Sequence, residues 1–283
     1  MKTMLIPVDF TDTSDNAVSY AVEWCRAYDY NRIILLKTMY NTMFDELIPS
    51  ANYVHVCQDY MEKDREEATV KLKSLCKGVI AKVESGIKVS FALSELPLLR
   101  SILEIVEKEK AELIVMGSDN YDYSSDSYVA GHVIDIARTS PVRILIVPSH
   151  YQYQPVRQAL VPINFNSVGF LSKLHSYQAA TPKWREKKLL VLNVDPKGRY
   201  LRPDGEFRKA ENALHEYLQG YQHEVYYSNN KNIINGIIEF SKEHEVQLIV
   251  ALPGEYSFLY SLTHKSISEA LYRNADKPVL ILK

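Results

Sequence analysis

Leu5-Ile6-Pro7-Val8-Asp9-Phe10 returns, displaced by 155 residues, as Leu160-Val161-Pro162-Ile163-Asn164-Phe165. A second echo lies further on. Ala111-Glu112-Leu113-Ile114-Val115-Met116 reappears 135 residues later as Val246-Gln247-Leu248-Ile249-Val250-Ala251, and the same 135 carries Val142-Arg143-Ile144-Leu145-Ile146-Val147 onto Lys277-Pro278-Val279-Leu280-Ile281-Leu282. One unchanged offset across the last third of each half needs no gap, so the two halves share one design.

Within each half, short apolar runs alternate with amphipathic stretches. Strands are expected at 4–8, 32–37, 87–93, 112–116 and 143–147, and their runs are continuous rather than alternating, as suits parallel strands buried on both faces. Helical spacing joins Ala17, Ala21, Cys25 and Tyr28, then Ala68, Leu72, Leu75 and Val79 within 60–82. Pro97 opens a helix holding Leu98, Ile102 and Ile105, and a last helix runs through Val129, Val133, Ile136 and Ala137 to stop before Pro141. The second half repeats the order: strands 159–163, 188–193, 223–227, 247–251 and 278–282, helices 167–179, 206–219, 232–243 and 264–273, and a turn at Thr181-Pro182-Lys183-Trp184. Residues 41–58 read as an irregular stretch too apolar for a solvated loop, packed over a sheet edge or against the other half.

This alternation predicts an α/β protein of two open, mainly parallel five-stranded sheets with helices on both faces, arranged as a pseudo-two-fold pair. The polar, proline-bracketed Pro148–Pro155 separates domains at 1–150 and 155–283. Pairing through the last strands would set Val142–Val147 beside Val279–Leu282 and hide two sheet edges.

Composition narrows the class. Of 283 residues, 46% are apolar and 24% charged, and 33 Lys+Arg against 35 Asp+Glu leave a net charge of −2, so no general basic field favours nucleic acid or an anionic membrane. No apolar run approaches the roughly 20 residues of a spanning helix. Pro7 and Asp9 interrupt any signal-peptide core, and three cysteines without a CxxC fit reduced thiols, so a cytoplasmic location is expected. The eight histidines are scattered and no metal site is expected. No GxSxG, GxxxxGK[ST] or GxGxxG occurs, so no catalytic residues and no enzyme activity are expected.

The chain resembles the universal stress protein family in its tandem, two-domain form, with the adenine nucleotide alpha hydrolase-like fold. The residues carrying the resemblance are Ile6-Pro7-Val8-Asp9, Leu113-Ile114-Val115-Met116-Gly117-Ser118, and Pro141 with Ile144-Leu145-Ile146-Val147-Pro148. The resemblance implies an adenine-nucleotide site: Asp9 toward the adenosine, the Thr38 main chain toward adenine, and a loop of the form Gly, two residues, Gly, nine residues, Gly, Ser/Thr around the phosphates. Such a loop works because glycines let N–H groups approach an anion and a helix N-terminus adds positive partial charge.

Against that pattern Gly117 and Ser118 match, while Asn120 stands at the second glycine. The ungapped register places Ala130 and Gly131 at the last two positions; one inserted residue places Gly131 and His132 there instead. Asp119, Asp122 and Asp126 in the loop either hold a divalent cation or belong to a solvated loop; their spacing is not that of an EF-hand. In the second half Leu252, Glu255, Lys265 and Ser266 replace Gly117, Asn120, Ala130 and Gly131, and Asn164 replaces Asp9. His264-Lys265-Ser266 then reads as a helix entry on a protein-binding surface.

The resulting expectation is a tandem stress-response regulator, not an enzyme, acting mainly through an unknown protein partner, with a degenerate nucleotide site. Asp9, Thr38, Gly117, Ser118, Asn120 and Gly131 are the nucleotide-binding candidates, and ATP with magnesium is the ligand the alternative, a nucleotide sensor, would use. The halves pair within the chain, a homodimer is compatible with this, and neither nucleic acid nor membrane is an expected partner.

Overall fold

The computed structural model describes residues 1–40, 51–119, 127–252 and 275–283. Its strands are β1 (Thr3–Pro7), β2 (Arg32–Thr38), β3 (Lys88–Ser94), β4 (Leu113–Ser118) and β5 (Arg143–Pro148), then β6 (Gln158–Pro162), β7 (Lys188–Val194), β8 (His223–Ser228), β9 (Leu248–Ala251) and β10 (Val279–Ile281). They lie in the order β3-β2-β1-β4-β5-β10-β9-β6-β7-β8. Within each half the neighbours are parallel; β5 and β10 meet antiparallel, pairing Ile144 with Ile281, Leu145 with Leu280 and Ile146 with Val279. The two five-stranded sheets are thus continuous, edge to edge, as one ten-stranded sheet.

The continuous apolar runs are explained by burial on both faces. Met4, Ile6, Ile33, Leu35, Leu113, Val115, Leu145 and Val147 point into one core layer. Their alternates Leu5, Ile34, Leu36, Ile114, Met116, Ile144 and Ile146 point into the other. The first layer is closed by α1 (Asp12–Ala27), α2 (Ala51–Ile80), α6 (Ser172–Ala180) and α7 (Gly205–Tyr217). The opposite layer is closed by α3 (Leu98–Glu109), α4 (Tyr128–Gly131), α5 (Val133–Thr139) and α8 (Ile233–Glu243). No helix among the described residues is long and apolar enough to cross a membrane.

Three readings of the sequence need correction. The helix through Val129 and Ala137 is broken into α4 and α5 at His132, whose φ of −102° and ψ of 2° leave the helical range. The stretch 167–179 is not one helix: a 3₁₀ segment over Phe165–Leu171 precedes α6. Residues 51–58, read as irregular, are helical as the start of α2, while 41–50 and the helix expected at 264–273 lie outside the described residues.

The turn at Thr181–Trp184 becomes a 3₁₀ segment, Pro182–Glu186, with Trp184 fully buried. It sets the Trp184 ring 6.3 Å from Tyr28 at the end of α1 and 5.2 Å from Tyr177 of α6. Tyr28 in turn packs 4.3 Å from Trp24, so an aromatic row crosses from one half to the other above the β5–β10 seam.

Candidate functional site

The C-terminal ends of β2, β1 and β4 lie side by side, and the ligand-binding crevice of an open α/β sheet is at such ends. Asp9 follows β1. Its Oδ1 accepts from Thr11 Oγ1 at 2.6 Å and Thr11 N at 3.3 Å; its Oδ2 accepts from Ser127 Oγ at 2.7 Å and Val129 N at 2.9 Å. Ser127 is the N-cap of α4 and its hydroxyl also accepts from Ala130 N, while Thr11 caps α1 by accepting from Ser14 N. One carboxylate therefore ties the starts of two helices together. Burial alone would raise the Asp9 pKa, but the hydrogen bonds from Thr11, Val129 and Ser127 outweigh it and hold the carboxyl below its ordinary value.

Gly117, near the end of β4, is a glycine for a packing reason. A Cβ there would stand 2.6 Å from the Thr13 carbonyl oxygen and 2.7 Å from Thr13 Cγ2, in the first turn of α1. Ser118 beside it is buried, and its carbonyl accepts from Ser149 N at 2.8 Å. Gly131 ends α4 with open space where its Cβ would be, and its N–H donates to Ser127 O at 3.3 Å. Asn120, with Asp122 and Asp126, lies outside the described residues.

Thr38 closes β2. The Leu36 carbonyl accepts from Val8 N, so by the two-residue period of a strand the Thr38 backbone faces the same side, past the last β1–β2 pair. Next to it, Lys37 and Lys71 each place Nζ 5.7 Å from the centre of the Phe10 ring, and Phe10 is held at a φ of 65°, the left-handed region that bulky residues seldom enter. Burial lowers the Lys37 pKa; Asp9 and Asp64 oppose that shift and Lys71 adds to it.

The equivalent end of the second half has a different chemistry. The β6–β7 register matches Leu192 to Leu36, so Asn193 stands where Lys37 is and Val194 where Thr38 is. Asn193 is buried and donates from Nδ2 to the Ile163 carbonyl at 3.0 Å, filling with a neutral amide the position of an ammonium. Asn164 likewise stands for Asp9, and Leu252, for Gly117, is buried. Asp195, just after β7, accepts at Oδ1 from Lys197 N and at Oδ2 from Arg199 N and Nε, the last at 2.8 Å. Desolvation opposes, but the Arg199 side chain and the two backbone donors win, and the Asp195 pKa lies below the ordinary value. Glu255, His264, Lys265 and Ser266 lie outside the described residues.

A model of the universal stress protein family matches residues 1–148. The chain belongs to the universal stress protein family. Its tandem form fits the full length, for a universal stress protein from Archaeoglobus fulgidus superposes with a TM-score of 0.65 at 18% identity, over 99% of this chain and 96% of that one. A Pseudomonas aeruginosa protein assigned to the universal stress proteins gives 0.53 at 13% identity, over 99% and 92%. A second P. aeruginosa protein, described as functionally unknown, gives 0.52 at 13%, over 99% and 92%. A comparison with curated proteins finds no match. At these identities the structural likeness speaks for the fold.

In this universal stress protein, the described candidates Asp9, Thr38, Gly117, Ser118 and Gly131 all belong to the segments gathered at one end of the first half-sheet. Sequence reasoning missed four residues there: Ser127 and Val129, which bind Asp9, and Lys37 with Lys71 around Phe10. Of these, Lys37 had a signal, a charge next to Thr38 inside an apolar strand. The Ser127 and Val129 contacts to Asp9 span 118 and 120 residues and have none in the local pattern.

Proposed function

We propose that this tandem universal stress protein is a non-catalytic regulator that acts through its surfaces on a protein partner, with a nucleotide site degenerate in both halves. One observation carries the reading: the Asp9 carboxylate spends both oxygens on Thr11, Ser127 and Val129. With both oxygens committed to the chain's own donors, the carboxylate ties the starts of α1 and α4 together instead of standing free for an adenosine. In the second half the loss of both Lys37 and Asp9 equivalents, with Leu252 in the place of Gly117, supports the same reading. The proposal takes 1–150 and 155–283 as its two units and a cytoplasmic setting, with no nucleic acid and no membrane as partner.

The test is equilibrium binding of fluorescent ATP with magnesium to the full chain and to Asp9→Ala. No saturable binding to the wild type is expected. Saturable binding abolished by Asp9→Ala would replace this reading with the second one, an adenine-nucleotide sensor. That second reading has its own support: two ammonium groups flank Phe10 beside the Thr38 backbone, a cation–aromatic arrangement suited to a base and its phosphates.

A further inference from the structure

At the far edge of the sheet, His215 stands in the last turn of α7 and His223 opens β8. The chain reverses between them through Gly220, at a φ of 86°, a backbone shape that glycine adopts without strain. This reversal brings Nδ1 of His215 to 3.3 Å from Nε2 of His223, with the rings tilted and their centres 5.5 Å apart. The tautomers follow from the surroundings. Nδ1 of His223 lies 3.0 Å from the Tyr221 carbonyl oxygen, which can only accept, so Nδ1 carries the proton and Nε2 turns its lone pair toward His215. His215 therefore donates from Nδ1 across the 3.3 Å gap.

Two nitrogens each about 2.0–2.1 Å from a tetrahedral ion are about 3.3–3.4 Å apart. The separation seen in the hydrogen bond is therefore that of a chelating pair, and rotation of the two rings turns both nitrogens toward a shared ion. We propose that His215 and His223 form a chelating site for a divalent transition ion of the zinc or copper type, for which imidazole is a preferred ligand. The ion takes the Nε2 lone pair of His223, and His215 moves its proton from Nδ1 to Nε2 through solvent to free a second lone pair; no net proton is lost. The Tyr221 carbonyl behind His223 is the outer support that orients a ligating imidazole. Among the described residues no group of three His, Cys, Asp or Glu side chains could hold a metal, so water completes the coordination and the ion exchanges freely. The site clamps the end of α7 to the start of β8, and it is independent of the nucleotide question at the other end of the strands.

Calorimetric titration of Zn²⁺ into the full chain tests it, with His215→Ala, His223→Ala and His175→Ala as variants and Mg²⁺ as the hard-cation control. The expected result is one saturable zinc site, weakened at least about tenfold in His215→Ala and in His223→Ala, unchanged in His175→Ala and absent with Mg²⁺. No saturable uptake by the wild type, or wild-type affinity retained in His215→Ala or in His223→Ala, overturns the proposal. Thermal unfolding gives a second readout: zinc should raise the wild-type midpoint and leave that of the double His215→Ala/His223→Ala variant where it was. An equal rise in both would also overturn it.

Discussion

Leu145 and Leu280 face each other at the centre of the β5–β10 pair, and they are also equivalent positions of the repeat, 135 residues apart. The flanking pairs exchange under that offset: Ile144 becomes Val279, which pairs with Ile146, and Ile146 becomes Ile281, which pairs with Ile144. The local two-fold axis therefore passes through the Leu145–Leu280 pair, and the seam is self-complementary.

This pair should be energetically coupled. Both leucines are fully buried in the same core layer, so each Leu→Ala change is expected to cost about 2–5 kcal/mol in chemical denaturation. Directly opposed side chains share one packing site, so the double variant should fall short of the sum by at least about 0.5 kcal/mol. Strict additivity would mean that the two side chains do not pack on each other.

Gly117 and Gly131 should respond in opposite directions to alanine. At Gly117 the new methyl would meet the Thr13 backbone and Cγ2, forcing α1 away from β4 at a cost of about 1–3 kcal/mol. At Gly131 the methyl enters open space at the end of a helix, and stabilisation of up to about 1 kcal/mol is expected from the reduced freedom of the unfolded chain. Thermal melts of the two variants decide it.

Asp9→Ala should destabilise the fold by about 1–3 kcal/mol at neutral pH, because it strands the donors on Thr11, Ser127 and Val129. The sign with pH follows from the lowered folded pKa. The carboxylate's contribution is complete above the ordinary value of 3.8 and is lost as pH falls below it through the folded-state value. The gap between wild type and variant in urea unfolding should therefore narrow only on acidification below about pH 4.

Two contacts between the halves should differ sharply in worth. Lys183 bonds Asp29 at 2.7 Å, but both side chains are about half exposed or more, and Lys183→Ala is expected to change stability by less than about 1 kcal/mol. Trp184→Ala, which empties the buried slot between Tyr28 and Tyr177, should cost about 3–5 kcal/mol. Denaturant midpoints of the two variants provide the comparison.

The strands were legible because each is a short apolar run long enough to be buried twice, and the repeat fixed which runs correspond. The break at His132 was not, because Val129, Val133, Ile136 and Ala137 keep helical spacing through it and all four are buried. At Asp9 the sequence placed a carboxylate at the right strand end but was silent on its partners, which arrive from the far side of β4. His215 and His223 sit eight positions apart and match no ligand spacing; only the reversal at Gly220 makes them neighbours.

The joint between β5 and β10 is made of peptide groups, which are the same whatever side chains flank them. Such a weld places little demand on residue identity at distant strand ends, so each lobe is at liberty to change its own rim without loosening the other. Here one rim retains charges of both signs at Asp9 and Lys37 while its twin has neutral amides at Asn164 and Asn193. One continuous sheet thereby carries two chemically unlike rims, an asymmetry that two identical subunits about a two-fold axis could not have.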